Sequence, residues 1–293
     1  MNSIRKAVIP VAGMGTRLLP ATKSIPKELF PLGNIPGIHY IVEEAVSAGM
    51  TEILFVTSGR KKAIKDYFSE DSELAQWLEN GQQTERLERI ETLRSKAQFH
   101  YVDQTRLDGL GDAIYHAKSF VNGQPFGVLL GDAVMLAAKP VMMQMVEAMP
   151  PGGGMMVGAA EVAPNEVSRY GIIEGSPITD TLYGMDSLIE KPSMTDTASR
   201  LAISGRYILP PDIFDFLEKT VPGVGNEIQL TDAINAALVR HQGYAFQFEG
   251  NRYDIGKKIS YLLANLMFAM EDDEARPVLM EKMQAILKTP LPK

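Results

Sequence analysis

The sequence predicts an α/β protein with a Rossmann-like, mostly parallel central sheet flanked by helices, followed by a smaller β-rich part and by C-terminal helices. Two observations support this fold class. Up to about residue 150, short apolar runs alternate with segments whose apolar residues recur at helical spacing, which is typical of a parallel sheet with crossover helices. After the Pro- and Gly-rich residues 150–154, strand-like runs follow one another with few helices between them.

The first half begins with an apolar strand at residues 7–11 that runs into a glycine-containing loop. Apolar residues at helical spacing, closed by Gly49, predict a helix at 37–49, and the run 52–57 predicts a short buried strand. Residues 71–96 are highly charged with narrow apolar stripes, which indicates two amphipathic helices at the edge of the sheet. The other elements predicted here are a helix at 60–68, a strand at 98–102, a helix at 113–120 and a strand at 126–130.

The second half is predicted to be mainly strand. We expect strands at 155–162, 171–174, 182–189, 206–209 and 244–248, with helices at 210–220 and 230–241. An apolar stripe from Ile259 to Met270 and the segment from Glu274 to about Leu287 predict two further helices. We therefore expect one domain at residues 1–256, with halves at about 1–150 and 151–256. The helices of residues 257–293 would serve packing or subunit contact.

Composition excludes several classes of function. The chain has no cysteine, so disulfides and thiolate chemistry are excluded, and its four histidines show no metal-ligand spacing. A net charge of −7 argues against a nucleic-acid-binding protein, which usually has a basic face. No signal peptide is evident, and charged residues interrupt the apolar stretch 128–149, so we expect a cytoplasmic protein without a membrane span.

The loop after the first strand has the composition of a phosphate site. Gly13 and Gly15 allow backbone N–H groups to approach an anion, Thr16 and Arg17 follow at once, and Lys27 lies ten residues further on. A dinucleotide-binding fingerprint needs a third glycine at Leu18, and a P-loop needs Gly-Lys-Ser/Thr, so both motifs fail. A tight turn with a surface arginine remains the structural alternative.

Residues 13–31 read Gly-x-Gly-Thr-Arg-x-x-Pro-x-Thr-Lys-x-x-Pro-Lys-Glu-x-x-Pro. This pattern resembles the signature of the sugar-1-phosphate nucleotidylyltransferases, and the similarity extends over nearly the whole chain. It is strongest to members that make UDP-glucose and pyrophosphate from UTP and glucose-1-phosphate. The resemblance implies direct in-line attack on the α-phosphorus of UTP, dependence on Mg²⁺, and a homo-oligomer, dimer or tetramer.

The resemblance also implies roles for residues of the first half. The segment with Ala12, Gly13, Gly15 and Thr16 would cradle the triphosphate, and Arg17 and Lys27 would be the catalytic cations. Gln104 and Gly109 would form the nucleobase site at the end of the third predicted strand, because an amide offers both a donor and an acceptor to uracil. Without the resemblance, a turn with a solvated glutamine explains this loop equally well.

The metal and sugar sites are implied in the same way. Asp132, at the end of a buried strand, would bind Mg²⁺ with help from Asp254. Glu190 would accept hydrogen bonds from sugar hydroxyls, while Lys191 and the segment ending at Gly171 would bind the sugar phosphate. The structural alternative for Asp132 is a cap or turn former at the end of a strand. For Glu190 and Lys191 it is an ordinary exposed pair at a strand end.

Three other functions stay open on the sequence. A thymidylyl- or other sugar-nucleotide pyrophosphorylase shares the phosphate loop and differs in its base and sugar pockets. A non-catalytic regulatory relative would keep the fold, but it would be expected to lose one of the charged residues that are intact here. A nicotinamide-dependent oxidoreductase is disfavoured by Leu18.

Overall fold

The first strands of the sheet show why it is covered on both faces. In the computed structural model, which describes residues 4–288, Ile9 belongs to one apolar core and the next residue back, Val8, to the other. Phe55 and Leu54 of the neighbouring strand divide in the same way. Because side chains alternate across a strand, these apolar runs supply two cores at once.

Within residues 4–288 the strands are β1 Lys6–Pro10, β2 Pro31–Leu32, β3 Ile35–Pro36, β4 Glu52–Thr57, β5 Gln98–Asp103, β6 Phe126–Leu129, β7 Ala133–Leu136, β8 Met155–Glu161, β9 Gly171–Pro177, β10 Leu182–Glu190, β11 Leu201–Leu209, β12 Gly243–Gln247 and β13 Asn251–Asp254. The α-helices of the same range are α1 Gly37–Ser47, α2 Lys62–Phe68, α3 Ser72–Asn80, α4 Glu88–Lys96, α5 Leu110–Tyr115, α6 Lys118–Val121, α7 Val141–Ala148, α8 Ile213–Leu217, α9 Leu230–Ala237, α10 Lys258–Ala269 and α11 Ala275–Lys288. None of these helices has the length and apolar composition needed to cross a membrane.

One sheet of nine strands runs through both halves of the described chain, in the order β5-β4-β1-β6-β11-β8-β12-β10-β9. Strands β5, β4, β1 and β6 are mutually parallel, and β8 pairs with β12 in parallel. The pairings of β11 and β10 are antiparallel. The predicted α/β fold class is confirmed, with the Rossmann-like parallel block in the first half. The division into two halves and a C-terminal part stays a prediction, and its last residues, 289–293, lie outside the described range.

The parallel block places the carboxyl ends of β1, β4, β5 and β6 at one edge of the sheet, where open α/β sheets bind ligands. The small ladder of β7 and β13 lies at the same edge, because β7 begins four residues after β6 ends. Asp254 pairs with Ala133 in this antiparallel ladder. The sequence pattern does not predict either strand, since each has four residues and its partner is far away in the chain.

Strand β11 is also longer than the predicted 206–209. Ser204 and Gly205 interrupt its apolar pattern, and Gly205 has a φ of +80° at an irregularity in the pairing with β8. The strand nevertheless continues, because the charge of Arg206 is neutralised inside the protein. Its Nε lies 2.9 Å from Oε1 of Glu44 on α1 and its Nη2 lies 2.7 Å from Oε2. Nη2 also donates to the carbonyl of Ala133, at 2.8 Å.

Candidate active site

The phosphate loop leaves the end of β1 and reaches the surface at the third residue. Ala12 is buried, Gly13 is exposed, and Gly15 has a φ of +67°, the left-handed region that favours glycine. Thr22 fixes this turn by donating its Oγ1 hydrogen to the Gly15 carbonyl, at 2.9 Å. Within the described chain, the N–H groups of residues 12–15 donate no hydrogen bond to protein. They are therefore available to an anion.

Lys27 forms an ion pair with the carboxylate of Asp132, which follows β6. It opens the 3₁₀ turn Lys27–Leu29, and its Nζ lies 2.6 Å from Oδ2 of Asp132. Burial acts to lower the pKa of Lys27, but the charges of Asp132 and Glu28 oppose it, and the pKa is raised above 10.5. Burial likewise acts to raise the pKa of Asp132, which Lys27 and two arginines bring below 3.8. Both groups are therefore charged at neutral pH.

Glu28, the neighbour of Lys27, is 1 % exposed and forms a second ion pair. Its Oε1 and Oε2 lie 2.9 and 2.8 Å from Nζ of Lys61, which follows β4. Burial is the main influence on both groups, raising the pKa of Glu28 and lowering that of Lys61. This pair anchors the turn that carries Lys27, and the sequence reasoning did not find it.

Asp254 reaches Asp132 through the ladder of β7 and β13. The N–H of Ile255 donates to the carbonyl of Asp132 at 2.9 Å, which holds the two segments together. A Cβ atom added at Gly256 would lie 3.0 Å from Oδ1 of Asp254 and 3.3 Å from Oδ2 of Asp132. Both carboxylates therefore border the same point.

Two cations flank Asp254. Nη1 of Arg17 lies 3.7 Å from its Oδ2, and Nζ of Lys257 lies 3.3 Å from the same atom. The Arg17 side chain is 55 % exposed, so it can turn toward a ligand at little cost. Loop and ladder thus bring Arg17, Lys27, Asp132 and Asp254 into one cluster of opposite charges.

The two carboxylates have the donor type that magnesium prefers. Among residues 4–288, no group of three or more His, Cys, Asp and Glu is arranged to hold a metal ion. Magnesium, however, is commonly bound by one or two protein carboxylates together with substrate phosphates and water. Asp132 and Asp254 around Gly256 fit that pattern, with the phosphates supplying the other ligands.

The two residues predicted to bind the base follow the end of β5. Gln104 is buried, and its Nε2 donates to Oδ2 of Asp112 at 2.7 Å and to the carbonyl of Gly109 at 3.3 Å. Within the described residues its Oε1 accepts no hydrogen bond, so an acceptor stays free for a ligand. Gly109 has a φ of +110°, and an added Cβ there would lie 2.7 Å from the carbonyl of Ile228. The structure therefore brings Gln104 and Gly109 together.

The three predicted sugar-phosphate residues also meet. Oε2 of Glu190 accepts a hydrogen bond from Oγ1 of Thr231 at 2.7 Å, and its Oε1 lies 3.3 Å from Nζ of Lys191. A Cβ atom at Gly171 would lie 3.1 Å from Oε2 of Glu190. The backbone N–H of Lys191 donates to the carbonyl of Tyr170 at 3.0 Å.

The sequence analysis assigned no role to Arg252 or Lys257, and it included Tyr170 only as part of the segment ending at Gly171. Arg252 and Asp254 are two positions apart on β13, so strand periodicity places them on one face and could have indicated Arg252. The carbon atom of its guanidinium lies 5.1 Å from the centre of the Tyr170 ring, and Nζ of Lys257 lies at the same distance. Tyr207 is buried nearby, and burial with the charge of Glu190 raises its pKa.

Known proteins of similar sequence indicate the family of this chain. The sequence profile described as "Nucleotidyl transferase" matches residues 6–271. A UTP–glucose-1-phosphate uridylyltransferase of Staphylococcus epidermidis is 43% identical over 274 residues, which are 94% of this chain and 95% of that protein. The protein of the same name from Bacillus subtilis is 42% identical over 287 residues, which are 98% of each chain.

Two solved structures are similar over their full lengths. A UTP-bound UGPase from Acinetobacter baumannii has a TM-score of 0.88 and 34% identity, covering 98% of this chain and 100% of its own. A UDP-glucose pyrophosphorylase in complex with UDP-glucose has a TM-score of 0.84 and 38% identity, covering 92% of this chain and 100% of its own. With the match of the sequence profile, these similarities establish that the chain belongs to the nucleotidyl transferase family.

Proposed function

We propose that this chain transfers the uridylyl group of UTP to glucose-1-phosphate, giving UDP-glucose and pyrophosphate. The observation that supports this most is the meeting of Arg17, Lys27, Asp132 and Asp254 beyond the carboxyl ends of β1 and β6. The names of the curated relatives, which match over nearly their whole length, describe the same reaction for those proteins.

The main obstacle to this reaction is the repulsion between two anions, so the site must supply positive charge and alignment. We propose that the free N–H groups of residues 12–15 hold the triphosphate and that Lys27 turns from Asp132 to the α-phosphate. An oxygen of glucose-1-phosphate attacks the α-phosphorus, and the bond from that phosphorus to the pyrophosphate oxygen breaks. Arg17 stabilises the departing pyrophosphate. No general base is required, because the attacking oxygen already carries negative charge.

Asp132 and Asp254 would hold the magnesium ion, which supplies positive charge to the phosphate oxygens. Asp132 pairs with Lys27 in the structure, so the release of Lys27 to the α-phosphate would leave this carboxylate free for the metal. Gln104 would accept the N3–H of uracil through its free Oε1. Glu190, held by Thr231, would accept hydrogen bonds from glucose hydroxyls, and Lys191 would bind the sugar phosphate.

The free Oε1 of Gln104 would also determine which base is preferred. Uracil and thymine carry a donor at N3 whereas cytosine carries an acceptor, so Gln104 Oε1 favours UTP and dTTP over CTP. The sugar pocket and the 5-methyl group of thymine decide between uridylyl and thymidylyl transfer. The homo-oligomeric state and the cytoplasmic location expected from the sequence stay predictions.

Pyrophosphate release tests the proposal. UTP, dTTP, CTP and ATP are each offered with glucose-1-phosphate or galactose-1-phosphate, with magnesium or with EDTA. We expect rapid release only from UTP with glucose-1-phosphate and only with the metal. Faster release from dTTP would favour the thymidylyl alternative, and no release from folded protein with any pair would contradict catalysis and favour the regulatory relative.

A further inference from the structure

Arg252 is a partly buried cation without a protein acceptor. Within residues 4–288 its guanidinium forms no ion pair and no hydrogen bond, and its Nε is fully covered by protein. A guanidinium has five N–H donors, and leaving buried donors unpaired is unfavourable. Its one polar contact in the described chain is the face of Tyr170, at 5.1 Å. An anionic ligand would satisfy these donors.

The position of Arg252 identifies which part of a ligand it faces. Tyr170 lies below both Arg252 and Lys257, and Nζ of Lys257 donates to its Oη at 3.4 Å. The carbonyl of Tyr170 also holds the backbone of Lys191. Arg252 thus lies on the same strand as Asp254, β13. Through Tyr170 it is also linked to Lys191, the neighbour of Glu190.

The electrostatic influence of Arg252 gives the same location. Burial acts to raise the pKa of Asp132, and Lys27, Arg252 and Arg17 together lower it. Burial and the charge of Glu190 raise the pKa of Tyr207, and Arg252 opposes them. The guanidinium therefore lies within electrostatic reach of both Asp132 and Tyr207.

We propose that Arg252 binds the phosphate group of the sugar 1-phosphate, between the carboxylates of Asp132 and Asp254 and the sugar-facing Glu190. This inference rests on the proposed function and adds a binding residue to it. A phosphate monoester matches the fork of N–H donors on a guanidinium, and the loop of residues 12–17 already accounts for the triphosphate. The same group becomes the β-phosphate of the product, so Arg252 contacts UDP-glucose as well.

If Arg252 binds the sugar phosphate, its replacement should weaken the binding of glucose-1-phosphate and leave that of UTP nearly unchanged. Arg252→Gln should raise KM for glucose-1-phosphate about ten- to a hundredfold, because a charge-assisted hydrogen bond is lost, while KM for UTP changes less than about threefold. Arg252→Lys keeps the charge and should recover part of the loss. Arg240→Gln is the matched control, since Arg240 also stacks on an aromatic ring, at 4.9 Å from Phe216, and has no part in the proposed site.

Direct binding distinguishes a failure of this inference from a failure of the proposed function. Calorimetric titration with UDP-glucose and with UTP requires no turnover, and Arg252→Gln should weaken only the binding of UDP-glucose. Unchanged affinity for UDP-glucose, or equal loss for both nucleotides, would overturn the role of Arg252 even in an active enzyme. If wild-type protein releases no pyrophosphate, selective weakening by Arg252→Gln still supports the phosphate contact. If wild-type protein binds no UDP-glucose, both proposals fail.

Discussion

The Nζ atom of Lys27 lies 2.6 Å from Oδ2 of Asp132, so the proposed catalytic cation and the proposed metal ligand form one ion pair. The two residues come from different strand ends, with Lys27 on a turn after β1 and Asp132 after β6. Since β1 and β6 are parallel neighbours, their carboxyl ends deliver both side chains to the same edge. The sheet therefore determines this contact between residues that are far apart in the chain.

Removing the ammonium group of Lys27 should remove most turnover and leave the fold intact. We expect Lys27→Ala to lower kcat about a hundred- to a thousandfold, because a preorganised charge near the reacting phosphorus is lost. Pyrophosphate release measures this effect, and the thermal unfolding midpoint checks folding. Lys62→Ala, at an exposed lysine of α2, is the control. Turnover within about threefold of wild type in Lys27→Ala would exclude the catalytic role.

Neutralising Asp132 should change the metal requirement. In Asp132→Asn the magnesium concentration for half-maximal activity should rise at least about tenfold, since one of two carboxylates becomes a neutral amide. Asp254→Asn should act in the same direction. Magnesium titrations after removal of metal by EDTA measure the effect, with the exposed Asp180→Asn as control. An unchanged magnesium dependence in both variants would place the metal elsewhere.

The pH dependence of stability should report the same ion pair. The pKa of Asp132 is lowered below 3.8 in the folded protein, so its contribution is present above that value and lost as pH falls through the folded pKa. The pKa of Lys27 is raised above 10.5, so its contribution is present below 10.5 and lost as pH rises through the folded pKa. Urea unfolding at several pH values measures the loss of stability at acid pH and at alkaline pH. In Asp132→Asn the free energy of unfolding should fall less at acid pH than in wild type. An equal fall in both proteins would contradict the pairing.

The buried pair of Arg206 and Glu44 should matter for stability. Arg206→Met leaves the Glu44 carboxylate inside the protein without its partner, and breaking such a pair typically costs about 3–5 kcal/mol. The double variant Arg206→Met/Glu44→Leu removes both charges and should recover part of that loss. Chemical unfolding measures the free energies. A loss below about 1 kcal/mol in the single variant would mean that the carboxylate finds another partner.

Gln104 should control the affinity for the base. Gln104→Leu removes the acceptor for N3–H, so KM for UTP should rise about tenfold while KM for glucose-1-phosphate stays nearly constant. Gln98→Leu, at the other end of β5, is the matched control because Gln98 is exposed. Steady-state kinetics with each substrate varied in turn separates the two constants. Equal changes in both would indicate a general disturbance of the loop.

Local pattern was sufficient for most of the first half of the fold. Strand β4 spans Glu52–Thr57, the predicted residues, because its apolar run is bounded by polar ones. Helix α8 spans only Ile213–Leu217 instead of 210–220, and Pro211 disfavours helical backbone at the residue before it, Pro210. Strands β7 and β13 escaped prediction because a ladder between distant segments leaves no local pattern.

The candidate site also combines residues that the sequence indicated with residues that it did not. The residues named from the resemblance are brought together by the structure, but their roles stay proposals. The ion pair of Glu28 and Lys61 and the unpaired guanidinium of Arg252 depend on which side chains face each other across the sheet edge. No spacing rule within one segment gives that information. The sequence did offer one indication of Arg252, because it lies two residues from Asp254 on β13 and therefore on the same face of the strand.

Exchange of radiolabelled pyrophosphate into UTP tests the central claim, direct transfer between UTP and glucose-1-phosphate, most directly. With magnesium and UDP-glucose present, we predict rapid appearance of label in UTP, and none when UDP-glucose and glucose-1-phosphate are both left out. Label in UTP without any sugar compound would mean a covalent uridylyl-enzyme and would contradict in-line attack by the sugar phosphate. No label under either condition, from folded protein, would contradict uridylyl transfer itself.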